Sequence, residues 1–150
     1  MPTTYTKLLY HIVFSTKRRE PLILPIIKED LYEELRRIIR DQRGEPIEIG
    51  GTADHVHVVA KLRSEPSLAK VMQQLKGASS SFVNQLGKYT AKFYWQEGYG
   101  AFTVSPGALG DLRAYVRNQV EHHRVHSFQE EFLKFLHEHE IEYDEQYLWD

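Results

Sequence analysis

Residues 46–60 read PIEIGGTADHVHVVA, two short runs of β-forming residues joined across the turn-forming stretch 50–54. So short a connection makes an antiparallel hairpin, with Pro46–Gly50 as one strand and the histidine-bearing run as the next. Side chains alternate along a strand, so His55 and His57 project to one face while Val56 and Val58 project to the other. Two imidazoles thus converge on one point, and paired imidazoles are common ligands of divalent metals. The competing reading is a chance His-x-His in a chain with 8 histidines, and these residues alone leave both open.

On the N-terminal side of the hairpin, Lys7–Ser15 (KLLYHIVFS) is apolar on both faces, as expected of a central strand. From Pro25 to Gln42 the residues Ile27, Leu31, Leu35, Ile38 and Ile39 recur at helical spacing, and Gly44 follows as a stop. On the C-terminal side, Ser67 is placed to cap a second helix whose stripe runs from Leu68 through Leu75 to Leu86, interrupted by the small residues Gly77 to Ser81. Those small residues permit close approach, either by the sheet or by a nucleic-acid backbone. A fourth strand, Ala101–Val104, ends at Ser105-Pro106-Gly107. The order βαββαβ predicts an α+β, ferredoxin-like fold, with two helices on one face of a four-stranded antiparallel sheet and the first and third strands central. His55 and His57 then sit mid-sheet beside YHIVF. A helix from about Leu109 is placed to cover or flank the open face.

The last helix begins after Ser127, whose spacing to Glu130 matches a capping box. The chain, 1–150, is expected to form a single domain, with 127–150 as a C-terminal helix and an acidic, aromatic tail ending IEYDEQYLWD. A free acidic tail has no need of Phe132, Phe135, Leu136, Tyr143, Tyr147, Leu148 and Trp149, so these are expected to dock on the body or on a partner subunit.

Composition narrows the functional classes. There is no cysteine, which excludes disulfides and thiolate metal sites and fits a reducing cytoplasm. No apolar stretch approaches membrane-spanning length, and cytoplasmic localisation with no membrane partner is expected. The formal net charge of -2 is unevenly spread: residues 1–129 carry about +5 and residues 130–150 about -7. A mildly basic body remains compatible with phosphate binding, because local potential steers a ligand. Lys17-Arg18-Arg19 is either a solvated loop after the first strand or a phosphate-contacting patch.

The stretch GDLRAYVRNQVEHH, 110–123, places Leu112, Tyr115, Gln119 and His122 within one helical stripe. A tyrosine on such a stripe is ordinarily a core residue. Beside two strand imidazoles, a phenol and an amide one turn apart make a compact set for phosphodiester chemistry. The metal polarises a phosphoryl oxygen, Gln119 supplies a third ligand, and a deprotonated Tyr115 attacks phosphorus.

These residues resemble a known family. His55-Val56-His57 looks like the HUH motif, and Tyr115-Val116-Arg117-Asn118-Gln119 looks like the nucleophile helix of the single-tyrosine HUH transposases of the insertion-sequence-200 type, including the relatives associated with repetitive extragenic palindromes. YHIVFSTKRR, DHVHVVAKL, LKGASS and YWQEGYGAFTVS extend the likeness over nearly the whole chain, in the family's order. The resemblance implies a metal-dependent enzyme that nicks and rejoins single-stranded DNA at hairpin-forming element ends, through a 5′-phosphotyrosine with a free 3′ hydroxyl. It implies Tyr115 as nucleophile and His55, His57 and Gln119 as ligands of Mg or Mn. His122 and His123, near Gln119, go beyond the minimal pattern, and His122 is a candidate further ligand or acid/base group. Lys17, Arg18, Arg19 and Lys76 are the DNA-contacting candidates. A homodimer is implied, each site pairing one subunit's histidines with the other's tyrosine. Two rival readings are a non-catalytic module that stacks single-stranded nucleic acid on a ferredoxin-like sheet, and a small metal-dependent phosphodiesterase using activated water.

Overall fold

The structure, a computed structural model, describes residues 3–88 and 92–149; the last residue of the acidic tail, at 150, lies outside them. Strand β1 (Leu8–Ser15) leads through a 3-10 turn at Lys17–Arg19 to helix α1 (Pro25–Asp41), and β2 (Glu45–Gly51) and β3 (His55–Leu62) form the hairpin. Helix α2 (Leu68–Leu86) precedes β4 (Gly100–Thr103), and α3 (Leu109–Arg117), α4 (Gln119–His122), α5 (Phe128–Glu138) and α6 (Glu145–Leu148) complete the chain. The sheet order is β2-β3-β1-β4 with every pairing antiparallel, the ferredoxin-like arrangement expected from βαββαβ.

The two sheet faces have different occupants. On one, Ile12, Phe14, Val56, Val58 and Ala60 pack against Ile27, Leu31 and Leu35 of α1 and Val71, Met72 and Leu75 of α2. Ser67 caps α2 as expected, its side chain accepting from the Lys70 backbone N–H. Within the small-residue run Ser79 is buried and its hydroxyl accepts from Trp95 Nε1 at 2.8 Å, so the space admits a tryptophan.

The opposite face carries His11, Val13 and Ser15 of β1 directly across from Val59, His57 and His55 of β3. It is not open. Helix α5 lies over it, with Phe128 and Leu136 buried against Val13 and Phe102, and Phe132, Phe135, Tyr143, Leu148 and Trp149 packed around them. The expected docking of the tail holds for these residues, whereas Tyr147 is 64% exposed. Ser127 caps α5, its Oγ accepting from the Glu130 backbone N–H at 3.1 Å, while its hydroxyl donates to Glu130 Oε1 at 3.3 Å in place of the reciprocal backbone bond. Deleting residues 127–150 would bare this apolar patch to water. The thermal midpoint is expected to fall by roughly 5 °C or more, measured by calorimetry; an unchanged midpoint would contradict the packing.

Helix α3 is seated on β2 at one tight point. A Cβ added at Gly50 would stand 2.2 Å from the Val116 carbonyl oxygen, so only glycine lets the two backbones meet there. The helical stripe expected to run unbroken from Leu109 to His123 instead breaks at Asn118 (φ -97, ψ 23).

Candidate metal centre and nucleophile

The alternation of β3 places both imidazoles on the α5 side, and each ring is held from behind. His55 Nδ1 lies 2.7 Å from Asp54 Oδ1, and Thr52 Oγ1 donates to the same carboxylate oxygen at 2.8 Å. His57 Nδ1 lies 2.7 Å from Nε2 of His11, with the two rings stacked at 5.0 Å. Partners of this kind fix ring orientation and leave the other nitrogen aimed at a common centre. That nitrogen, Nε2, faces Gln119 Oε1 at 2.8 Å in His55 and Glu131 Oε1 at 2.9 Å in His57.

Glu131, from α5, occupies the centre and is 3% exposed. Its two oxygens face different groups. Oε1 meets Nε2 of His57, of His123 at 3.3 Å and of His55 at 3.5 Å. Oε2 accepts from the Tyr115 hydroxyl and from Gln119 Nε2 at 3.0 Å, with His122 Nε2 at 3.3 Å. Burial opposes ionisation, but the imidazoles of His123 and His57 and the Tyr115 hydroxyl outweigh it and hold the carboxyl well below the usual carboxylate range.

His55, His57, His123 and Glu131 offer four ligand atoms, all within 4.8 Å of one another, a set able to hold a metal ion. One detail favours that use. His123 Nε2 is buried yet has no partner in hydrogen-bonding geometry, close as it is to the Glu131 carboxylate. A buried imidazole nitrogen left without a well-aligned partner beside two further imidazoles and a carboxylate is a group that a cation would satisfy. Imidazole suits first-row transition ions and carboxylate suits Mg or Mn, so the mixed set fits Mn²⁺ better than Mg²⁺.

Tyr115 is half-buried on α3, and its ring stands edge-on to His57 at 5.8 Å. Its hydroxyl contacts Glu131 and lies 3.2 Å from His122 Nε2. Burial, and then the neighbouring carboxylate, push the phenol well above its ordinary value, so the proton stays on oxygen in this arrangement. Phenol and imidazoles belong to the same chain.

Of the residues singled out in the sequence, His55, His57, Tyr115, Gln119 and His122 come together here. The basic candidates divide. Lys17 and Arg18 are exposed; Arg19 turns inward, its guanidinium 3.2 Å from the Trp149 carbonyl. Lys76 bonds the carbonyls of Gln96 and Gly98 at 2.5 and 2.7 Å, which ties down the loop before β4. Sequence reasoning missed Glu131 and His11, and noted His123 only as a histidine near Gln119 outside the family's minimal pattern. A signal for Glu131 existed: it is a carboxylate set among Phe128, Phe132 and Phe135 on the apolar side of α5.

Burial pushes the His57 imidazole down to about 4 and that of His11 down to about 3, so both stay neutral near pH 7. An unfolded histidine titrates near pH ~6.5. Between that value and the lowered ones the unfolded chain binds more protons, so stability is present above it and is lost as pH falls. The metal-free protein is expected to lose thermal stability progressively from pH ~6.5 to ~4; a flat midpoint over that window in calorimetry would contradict neutral burial.

Comparison with known proteins places the chain in context. Residues 4–119 match the family described as "Transposase IS200 like". The transposase for insertion sequence element IS200 of Salmonella typhimurium is 27% identical over 121 residues, 77% of this chain and 79% of that protein. A putative transposase from Deinococcus radiodurans shares the fold with TM-score 0.64 and 23% identity, covering 79% of this chain and 95% of that one. A REP-associated tyrosine transposase, solved bound to a REP hairpin, shares it with TM-score 0.61 and 14% identity, covering 81% and 73%.

Proposed function

The chain belongs to the IS200-like transposases, and on that basis we propose that it nicks and rejoins single-stranded DNA through a phosphotyrosine link, with Tyr115 as nucleophile. The observation that carries this reading is the shared carboxylate: Glu131 turns one oxygen to the imidazoles and the other to the Tyr115 hydroxyl. The nucleophile and the metal ligands are thereby part of one unit.

In this reading His55, His57, His123 and Glu131 would hold a divalent ion, with Gln119 bridging His55 and Glu131. The ion's contribution is to polarise a phosphoryl oxygen and stabilise charge developing in the transition state. Tyr115 attacks phosphorus while Glu131 Oε2, already in contact with the hydroxyl, accepts its proton. The bond from phosphorus to the 3′ oxygen breaks, and that oxygen takes up a proton from solvent. The ester formed retains the energy of the broken bond, so attack by a 3′ hydroxyl reverses the step and rejoins a strand without a nucleotide cofactor. Lys17 and Arg18, exposed on the turn after β1, are proposed to contact the DNA phosphates. Like the REP-associated relative, solved with a hairpin, the protein is proposed to take hairpin-forming element ends as substrate.

Labelled single-stranded DNA carrying the hairpins that flank the gene, incubated with Mn²⁺ and run under denaturing conditions, separates the readings. A protein-linked fragment supports the transposase, free fragments alone would point to hydrolysis by water, and no cleavage to a binding module. The site is read as complete in one chain, because Tyr115 meets its own chain's Glu131. Mixing His57→Ala with Tyr115→Phe is therefore expected to recover no cleavage, and recovery in proportion to heterodimer would establish the exchanged site that family resemblance implies.

A further inference from the structure

One strand away from the imidazoles, on the same sheet face, lies a cavity of about 210 Å³. Its floor is Val13 and Ser15, which stand directly across from His57 and His55. Neighbouring strands are about 4.8 Å apart, so cavity and metal ligands are close neighbours. Phe128 separates them: its ring sits 4.6 Å from that of His55 and also lines the cavity.

The lining is aromatic but not closed. Tyr99 is 39% exposed and Tyr147 64% exposed, with Phe132 and Trp149 deeper. Polar groups sit among them. Gln96 Oε1 accepts from Ser15 Oγ at 3.1 Å and from Arg19 at 3.4 Å, while the side-chain Nε2 of Gln96 has no hydrogen-bond partner among the described residues. The Arg19 guanidinium lies 5.3 Å over the Trp149 ring, and Lys17 and Arg18 are exposed on the same turn.

Aromatic faces, an unused amide donor and adjoining positive charge are what a planar heteroaromatic ring attached to a phosphate requires. An aliphatic or lipid ligand would use neither the amide nor the guanidinium. We propose that this cavity binds one unstacked nucleobase of the strand being cut, next to the phosphate held at the imidazoles. The proposal rests on the reading of the chain as acting on single-stranded DNA. It goes beyond the family likeness, because Phe128, Phe132, Tyr147 and Trp149 lie past residue 119, where the family match ends.

The test uses the full-length protein and two fluorescein-labelled eight-nucleotide strands of equal phosphate count, one of thymidines and one wholly abasic. Wild type is expected to bind the thymidine strand about tenfold more tightly, the size of one base–aromatic stack. Tyr99→Ala/Tyr147→Ala, both at exposed rings, should erase most of that preference while affinity for the abasic strand and the thermal midpoint stay unchanged. Equal affinity of wild type for the two strands would overturn the pocket, as would a preference that survives in the double variant. Failure to bind either strand would reject the DNA reading itself, and the pocket with it.

Discussion

Tyr115→Phe is expected to abolish the covalent protein–DNA adduct and to lower strand cleavage roughly 10⁴-fold or more, as removal of a nucleophile does elsewhere. Fold and metal binding should persist. The substitution deletes one hydroxyl, and Glu131 keeps its contacts with His57 and Gln119, so stability should change by only about 1 kcal/mol. Denaturing electrophoresis with labelled DNA reads the adduct, and Mn²⁺ titration calorimetry reads the metal site. An adduct formed by the phenylalanine variant would remove Tyr115 from the chemistry. Undiminished release of free fragments would make the protein a hydrolase.

Glu131→Gln should be nearly as severe for a different reason. The amide has the shape of the carboxylate but lacks its charge, so Oε1 no longer offers an anionic ligand and Oε2 no longer offers a proton acceptor. Mn²⁺ affinity and cleavage are both expected to fall by about 100-fold or more, a loss at least as large as that from disturbing a ligand's outer partners. His57→Ala should resemble it in the calorimeter. Undiminished Mn²⁺ affinity in the Gln variant would exclude Glu131 from the metal site. A gain in cleavage would mean that the carboxylate blocks the centre.

The parts of the site that rest on local periodicity were legible in the sequence. Alternation put His55 and His57 on one face, and the βαββαβ order put β3 beside β1, as the pairing of Val13 with His57 bears out. Tyr115 and Gln119 were readable as one turn apart even though the helix breaks between them, since both still reach Glu131. His123, one turn beyond Gln119, joins the His55, His57 and Glu131 cluster, whereas His122 faces the Tyr115 hydroxyl, a division the helical stripe alone did not show. Glu131 was invisible for another reason: it meets His57 across 74 positions of chain, and no local pattern reports a contact made only when α5 settles on the sheet. The same docking put α5 over the face that a helix from about Leu109 was expected to cover or flank. It also brought His11, a strand residue with an unremarkable local setting, into the cluster through its contact with His57.

The contact between Gly50 and the Val116 carbonyl bears on how variants of this protein are interpreted. An alanine there would need the backbone next to Tyr115 to retreat by about 1 Å to reach ordinary contact from 2.2 Å, and a misplacement of that size is enough to cost about 100-fold in rate. A screen scoring only DNA cleavage would therefore group a residue with no side chain, and no chemistry of its own, with Tyr115. The two would part only in an assay of geometry. A Gly50 variant would still carry its phenol and its metal ligands, but out of register with each other, so its defect would be one of alignment.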